Sequence, residues 1–183
     1  MEKAPLGPVL QGPPKQLRLE REMAVYRLLT QLDIPFARLD HSPVMTAADG
    51  ACDAIDEALG IPNVKNLFLR NANRTRYFLV ALPAEKRLDL KKLARQLEVS
   101  HLSFGEAEQM EAFLGLQPGA VSVMGLMHDK ENRVQLILDE QVAKQPVLGC
   151  HPCVNTSSLR LAMADFLEKF LPAVGHGAIC LGI

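Results

Sequence analysis

The sequence predicts a single α/β domain of the mixed α+β kind, in which a mixed sheet or partly closed barrel is flanked by helices. Helix-like segments alternate along the chain with strand-like pairs, which is typical of such domains. The length of 183 residues suits one domain with a substantial core. Hydrophobic residues make up 48% of the chain and charged residues 22%, as expected for an ordinary soluble globular protein.

Residues 1–15 differ in composition from the rest of the chain. They contain four prolines and two glycines, which predicts a flexible leader before a folded domain over residues 16–183. The leader has no apolar stretch of the ~7–15 residues that a signal peptide carries. No apolar run in the chain reaches the ~20 residues of a membrane span. We therefore expect a cytoplasmic protein with no membrane partner.

Hydrophobic spacing and turn residues predict the elements of the first half. Thr46 can serve as the N-cap of a helix that Gly60 ends. A turn-rich segment, residues 71–74, separates two apolar runs and favours a hairpin. The predicted elements are, in order, a helix over 16–32, a strand over 36–41, a helix over 46–59 and hairpin strands over 64–70 and 75–82.

The second half is predicted in the same way. Asp89 caps a helix that runs to about Leu97, and Pro118-Gly119 forms a turn. The other predicted elements are a short helix over 106–114, strands over 121–123 and 133–138, an amphipathic helix over 157–170 and an apolar end over 178–183.

One face of the helix after Asp89 is basic. Lys91, Lys92 and Arg95 lie opposite its apolar face, because residues three or four apart are neighbours on a helix. A solvated surface and a phosphate contact are both open interpretations. With 20 basic and 21 acidic side chains the net charge is −1, so any contact with nucleic acid is expected to be local.

Cys150-His151-Pro152-Cys153 has the C-x-x-C spacing of redox dithiols and zinc knuckles. No second such pair completes a four-ligand zinc site. We prefer two small, semi-buried thiols and keep a redox module as the alternative. Catalytic signatures such as G-x-S-x-G, a Walker loop or H-E-x-x-H are missing.

Lys65 and Asn66 begin an apolar strand, where a cation and an amide are costly unless they are paired. Both could instead lie exposed at the strand start, and strand alternation points them to opposite faces unless a bulge intervenes.

Six segments in order make the chain similar to a known family. They are HSPVMT (41–46), VKNLFLRN (64–71), DLKKLARQL (89–97), LSFG (102–105), PGAVSVMGL (118–126) and CHPCVNTSSL (150–159). Over residues 17–183 the chain resembles the YbaK/ProX superfamily and, within it, the freestanding prolyl-tRNA editing proteins that are similar to the insertion domain of bacterial prolyl-tRNA synthetase.

The resemblance implies a trans-editing hydrolase that cleaves the ester of a mischarged tRNA, above all Ala-tRNA(Pro). It implies no metal and no organic cofactor. The expected partners are the tRNA acceptor end and, secondly, prolyl-tRNA synthetase, and the basic face formed by Lys91, Lys92 and Arg95 becomes a candidate acceptor-stem contact. The alternatives are a deacylase for serine, threonine or cysteine, and a non-catalytic module that binds tRNA or the synthetase.

The resemblance also implies the site residues. Lys65 would hold the tRNA 3′ end, Asn66 would lie near the aminoacyl group, and His151 would line the amino-acid pocket. Substrate-binding positions would be Thr46 and, in the loop that Gly119 opens, Gly119, Ser122 and Val123. Val123 stands where the family motif has proline, which would fix φ, so this loop could differ in shape.

Such an enzyme would position water and the carbonyl without a covalent nucleophile, with the adenosine 2′-hydroxyl assisting. A wall role for His151 is preferred over general-base catalysis, although its ordinary pKa of ~6.5 suits a base.

Overall fold

Two sheets organise residues 6–43 and 50–183, the part of the chain that this computed structural model describes. The strands are β1 (Leu10–Gln11), β2 (Phe36–Asp40), β3 (Val64–Asn71), β4 (Tyr77–Pro83), β5 (Leu102–Phe104), β6 (Val134–Asp139), β7 (Val147–Cys150), β8 (Ser157–Ala162) and β9 (Ala178–Leu181). An antiparallel sheet has the order β1-β2-β8-β7, and a mixed sheet has the order β5-β3-β4-β6-β9. Within these residues the strands form no closed barrel.

Helices surround the two sheets, which confirms the predicted α/β class. They are α1 (Glu20–Gln31), α2 (Gly50–Leu59), α3 (Leu90–Gln96), α4 (Ala107–Leu114), a 3₁₀ helix (Val123–His128) and α5 (Glu140–Ala143). A last helical segment joins α6 (Met163–Asp165), a π-helical turn (Phe166–Phe170) and α7 (Leu171–Ala173). No helix in the described ranges is long and apolar enough to cross a membrane.

The predicted hairpin is present as β3 and β4, which pair antiparallel with Lys65 opposite Leu82. Asn71 closes the turn, because its Oδ1 accepts hydrogen bonds from the backbone N–H groups of Thr75 and Arg76. The predicted helix ends are also confirmed: Gly60 follows α2 with a φ of 62°, and the Asp89 carboxylate caps α3 by accepting from Lys91 N and Lys92 N.

Strand β4 shows how the core is divided. Its side chains alternate between two faces, as in any strand. Leu79 and Ala81 join the larger hydrophobic cluster, which also takes residues from β7 and β8 of the antiparallel sheet. Phe78, Val80 and Leu82 join a second cluster beneath α3. The mixed sheet is therefore buried on both faces, and the larger cluster connects it to the antiparallel sheet.

Two predicted elements were wrong. Residues 157–162 form strand β8 rather than the start of a helix, and the helical segment begins only at Met163. The strand lies between β2 and β7, and pairing on both sides outweighs a local helical pattern that short segments leave ambiguous. Residues 121–123 form no strand, because Ser122 caps the 3₁₀ helix with its hydroxyl accepting from Met124 N.

The leader also needs correction where the structure describes it. Leu10 pairs with Arg38 and Gln11 with Ala37, and the N–H of Gly12 donates to the carbonyl of Phe36. An open strand edge offers unpaired backbone groups, and β1 satisfies them. This part of residues 1–15 is therefore an edge strand. The helix predicted from residue 16 begins at Glu20.

Candidate active site

A cavity of about 320 Å³ lies where elements of both sheets meet. Its walls come from α2, from residues 61–67 leading into β3, from Gly119 and Val121, and from Gly149 to His151 with Ser158. Lys65, Asn66, His151 and Gly119 all line it, so the structure brings together four of the predicted site residues.

Lys65 places a cation at this cavity. Its Nζ donates to the carbonyl of Ala84 at 2.8 Å and to that of Lys86 at 2.5 Å. An ammonium group has three donors, so one remains for a ligand. No carboxylate among the described residues pairs with Lys65, whereas the nearby Lys86 donates to the buried Asp139 at 2.6 Å. The charge of Lys65 is therefore held in place but not neutralised.

Asn66, which lines the same cavity, has a buried acceptor. Its Nδ2 donates to the carbonyl of Val121 at 3.3 Å, which sets the orientation of the amide. The other amide atom, Oδ1, is buried and has no hydrogen-bond partner in the described part of the chain. A buried acceptor left unpaired costs about 1–3 kcal/mol. A ligand N–H or O–H would satisfy it.

His151 lines the cavity and has one unprotonated ring nitrogen. Its Nδ1 lies 3.1 Å from the carbonyl oxygen of Ser157, and a carbonyl only accepts, so Nδ1 carries the proton of the neutral ring. Burial lowers the pKa of His151; the hydrogen bond to Ser157 partly opposes this shift, and the neighbouring His41 adds to it. The Ser122 hydroxyl donates to the His151 carbonyl at 2.5 Å and fixes the backbone. Nε2 is therefore a positioned hydrogen-bond acceptor near neutral pH.

Three functional candidates escaped the sequence interpretation. His41 donates from Nδ1 to the Ser42 carbonyl at 2.8 Å, so its Nε2 accepts from the Ser158 hydroxyl at 3.0 Å. The rings of His41 and His151 are 6.3 Å apart and nearly perpendicular. His41 and Ser158 lie in two of the segments that carry the family resemblance, residues 41–46 and 150–159, so the sequence did contain a signal for them. Asp56, which also lines the cavity, lies in an ordinary helical pattern without any such signal.

The remaining predicted site residues lie elsewhere. Ser122 and Val123 are buried and neither lines the cavity: Ser122 supports His151, and Val123 packs in the larger cluster at the start of the 3₁₀ helix. Thr46 lies outside the described residues. Lys91, Lys92 and Arg95 are exposed on α3 and do not line the cavity, and Lys92 donates to the Gly182 carbonyl at 2.8 Å. Gly119 has a φ of 84°, which favours glycine.

The cysteines do not form a reactive pair. Cys150 and Cys153 are both buried, and burial raises the pKa of both thiols, that of Cys153 to about 12. Redox dithiols need a lowered pKa and access to solvent. The structure therefore does not support the redox alternative. Across the described ranges no three potential ligands cluster as a metal site would require.

Comparison with known proteins decides the family. The model of the aminoacyl-tRNA editing domain matches residues 41–169, well over half of the chain. The chain belongs to the aminoacyl-tRNA editing domain family. This match spans every lining residue of the cavity, from Cys52 to Ser158, so the cavity is part of the editing domain.

Relatives of this editing domain support the predicted resemblance to YbaK/ProX proteins. The prolyl-tRNA editing protein ProX of Acetoanaerobium sticklandii is 30% identical over 162 residues, 86% of this chain and 94% of that protein. The prolyl-tRNA synthetase associated domain-containing protein 1 of Xenopus laevis is 27% identical, covering 89% and 96%. The crystal structure of a proposed trans-editing enzyme for prolyl tRNA synthetase shares the fold, with a TM-score of 0.65, 17% identity and coverage of 90% and 98%.

Proposed function

We propose that this editing domain is a trans-acting hydrolase that removes the amino acid from mischarged tRNA, and that its main substrate is Ala-tRNA(Pro). The observation that carries the proposal is the cavity in which an unneutralised lysine, an unpaired amide oxygen and an unprotonated histidine nitrogen converge. The name of the ProX relative supports the proline-tRNA assignment.

Lys65 is proposed to hold the terminal nucleotide. Its free N–H donor suits a phosphate or ribose oxygen of the tRNA 3′ end, and its charge is not cancelled by a carboxylate. One such local contact is consistent with the net charge of −1, because only the acceptor end needs to enter the cavity. Prolyl-tRNA synthetase remains a proposed second partner.

The proposed chemistry needs no covalent nucleophile. An aminoacyl ester is already activated, so positioning of water and carbonyl, together with N–H donors to the developing oxyanion, can supply the rate. Asn66 and the backbone at Gly119 are proposed to orient the aminoacyl group, with the adenosine 2′-hydroxyl assisting the water. His151 is proposed as a pocket wall whose Nε2 accepts a hydrogen bond from substrate or water. General-base catalysis is the second role proposed for His151, and substitution of the residue separates the two.

The proposed preference for a small amino acid comes from steric exclusion by the cavity wall. About 320 Å³ has to hold the aminoacyl group and part of the adenosine. A rigid wall excludes a larger ring by steric overlap, whereas discrimination between side chains that differ by one methylene is limited to about 10–200-fold. We therefore expect efficient removal of alanine, rejection of proline and slower removal of serine.

The test is deacylation of Ala-tRNA(Pro), Pro-tRNA(Pro) and Ser-tRNA(Pro) by the wild type and by Lys65→Ala. We expect rapid loss of alanine alone and a drop of about 100-fold or more in kcat/KM for the variant, since a charge-assisted contact is removed. Lys130→Ala is the matched control, because Lys130 is exposed, does not line the cavity and lies outside the basic face on α3. Bound tRNA without hydrolysis of any ester would instead establish the non-catalytic module, and faster removal of serine than of alanine would overturn the alanine assignment.

A further inference from the structure

Asp56 on α2 lines the cavity, although the proposed reaction assigns it no role. Among the described lining residues it is the only carboxylate. The same lining contains a cation, Lys65 on β3. The cavity therefore presents one negative and one positive side chain to whatever it holds.

The surroundings of Asp56 do not explain its presence. Its Oδ2 is buried and has no hydrogen-bond partner in the described ranges, and no salt bridge there includes it. Burial, and secondarily the like charge of Asp53, raise the pKa of Asp56 to about 7. An unpaired, partly buried carboxylate lowers the stability of the fold. Such perturbed groups in cavities are typical of binding sites.

We propose that Asp56 binds the α-ammonium group of the aminoacyl ester. The site would then select aminoacyl groups whose α-amino group is free over N-acylated or α-hydroxy acyl groups. The proposal rests on the proposed function and deepens it, since it names the substrate feature that the cavity recognises. Asp56 is then a specificity-determining residue rather than a member of the hydrolytic machinery.

The charges of the substrate match those of the cavity. The 3′ end of an aminoacyl-tRNA carries a phosphate charge at the nucleotide and a positive charge at the α-amino group. Lys65 can meet the first and Asp56 the second. An ammonium group has three N–H donors, and two of the lining residues carry a buried acceptor that has no partner among the described residues, Asp56 Oδ2 and Asn66 Oδ1. A charge-assisted hydrogen bond to Asp56 contributes more than a neutral one would.

The proposal predicts a specific pH dependence for binding. Asp53 lies on the same helix as Asp56, and Lys65, His151, Cys52 and Cys150 line the cavity with it. A bound cation favours the ionised carboxylate, so affinity for an ammonium ligand rises as pH increases through about 7. It falls again when the α-amino group loses its proton, near its ordinary pKa of ~8.

The test compares two non-hydrolysable probes that differ only at the α-position: 3′-(L-alanylamino)-3′-deoxyadenosine and its L-lactoyl counterpart, which carries a hydroxyl instead. Dissociation constants are measured by calorimetry for the wild type, Asp56→Asn and Glu57→Gln. We expect Asp56→Asn to weaken alanyl binding about 10-fold or more and to leave lactoyl binding within about twofold. Glu57→Gln removes an exposed charge from the same helix and should match the wild type.

Equal weakening of both probes by Asp56→Asn, or no weakening, would overturn the proposal. The wild type alone gives a second measurement that does not depend on the variant's folding: its alanyl-to-lactoyl affinity ratio should rise between about pH 5.5 and 7.5. A flat ratio contradicts the proposal. Because binding is measured without hydrolysis, failure of the proposed deacylase activity is read separately, in the tRNA assay.

Discussion

At the residue scale, His151 has its ring and its backbone held separately. Ser157 accepts from the ring at Nδ1, and the Ser122 hydroxyl donates to the His151 carbonyl. A ring held in this way cannot exchange its two nitrogens without losing a hydrogen bond, so Nε2 is the ring nitrogen that remains available as an acceptor. The pocket-wall and general-base roles both use this nitrogen, and they differ in what its loss should do.

We predict that His151→Ala keeps kcat for Ala-tRNA(Pro) within about 10-fold of the wild type while raising the hydrolysis of larger aminoacyl esters, because a wall is removed. General-base catalysis would instead require a loss of about 100- to 10,000-fold in kcat. The measurement is single-turnover deacylation with a panel of aminoacyl-tRNAs. His101→Ala, at an exposed position outside the cavity, is the control.

The pH profile gives a further check on His151. Burial lowers its pKa, so the ring stays neutral down to a pH below the ordinary value of ~6.5. With saturating substrate, so that weaker substrate binding caused by protonation of Asp56 does not enter, kcat should therefore persist through pH 6.5, and any fall caused by protonation of Nε2 should occur only at lower pH. An activity loss centred above pH 7 would contradict this environment for His151.

At the element scale, strand β7 forms part of the cavity wall through Gly149. A Cβ atom added there would approach Ile61 Cδ1 to 2.6 Å and Ile61 Cβ to 3.1 Å. Gly149 pairs with Arg160 of β8, so the strand backbone is held and Ile61 has to move. Because Ile61 lines the cavity as well, the absence of a side chain at residue 149 helps to keep the cavity open.

We predict that Gly149→Ala lowers kcat/KM for Ala-tRNA(Pro) by about 10-fold and shifts the preference toward Gly-tRNA, since displaced Ile61 atoms reduce the space for the substrate side chain. Parallel deacylation of the two charged tRNAs measures the shift. Gly177→Ala is the control, because an added Cβ there meets no atom within 4 Å. An unchanged ratio of the two rates would mean that Ile61 moves away from the cavity.

At the scale of the whole molecule, we propose that tRNA binding extends beyond the cavity. The basic face formed by Lys91, Lys92 and Arg95 is exposed and lies on α3, which covers the second hydrophobic cluster. Lys92 already donates to the Gly182 carbonyl, which fixes one of the three cations near the carboxyl end of the chain. The face remains a proposed contact with the acceptor stem.

We predict that replacing these three residues by alanine weakens tRNA(Pro) binding. The slope of the logarithm of the binding constant against the logarithm of the salt concentration should become shallower by up to about three, about one for each phosphate that the variant no longer neutralises. Titrations at several salt concentrations measure the slope. Hydrolysis of a short aminoacyl-adenosine substrate should be unaffected, since the cavity is intact. An unchanged slope would show that the face is only a solvated surface.

Local sequence patterns by themselves determined the parts of this protein that local interactions stabilise. The hairpin β3–β4, the Asp89 cap and the Gly60 helix end follow from turn and capping residues whose hydrogen-bond partners are a few positions away. The family resemblance, and the expectation that Lys65, Asn66 and His151 share one site, came from short motifs in the right order. These three residues do line one cavity.

Only the tertiary structure decided the rest, because the interactions involved join distant parts of the chain. Strand β8 is a strand because β2 and β7 pair with it on both sides, and β1 is ordered because β2 leaves an edge open. Ser122 holds the His151 backbone from a buried position and does not line the cavity. Asp56 lines the cavity because folding brings α2 to the start of β3, and its Oδ2 has no partner among the described residues, which no local pattern in the sequence reveals.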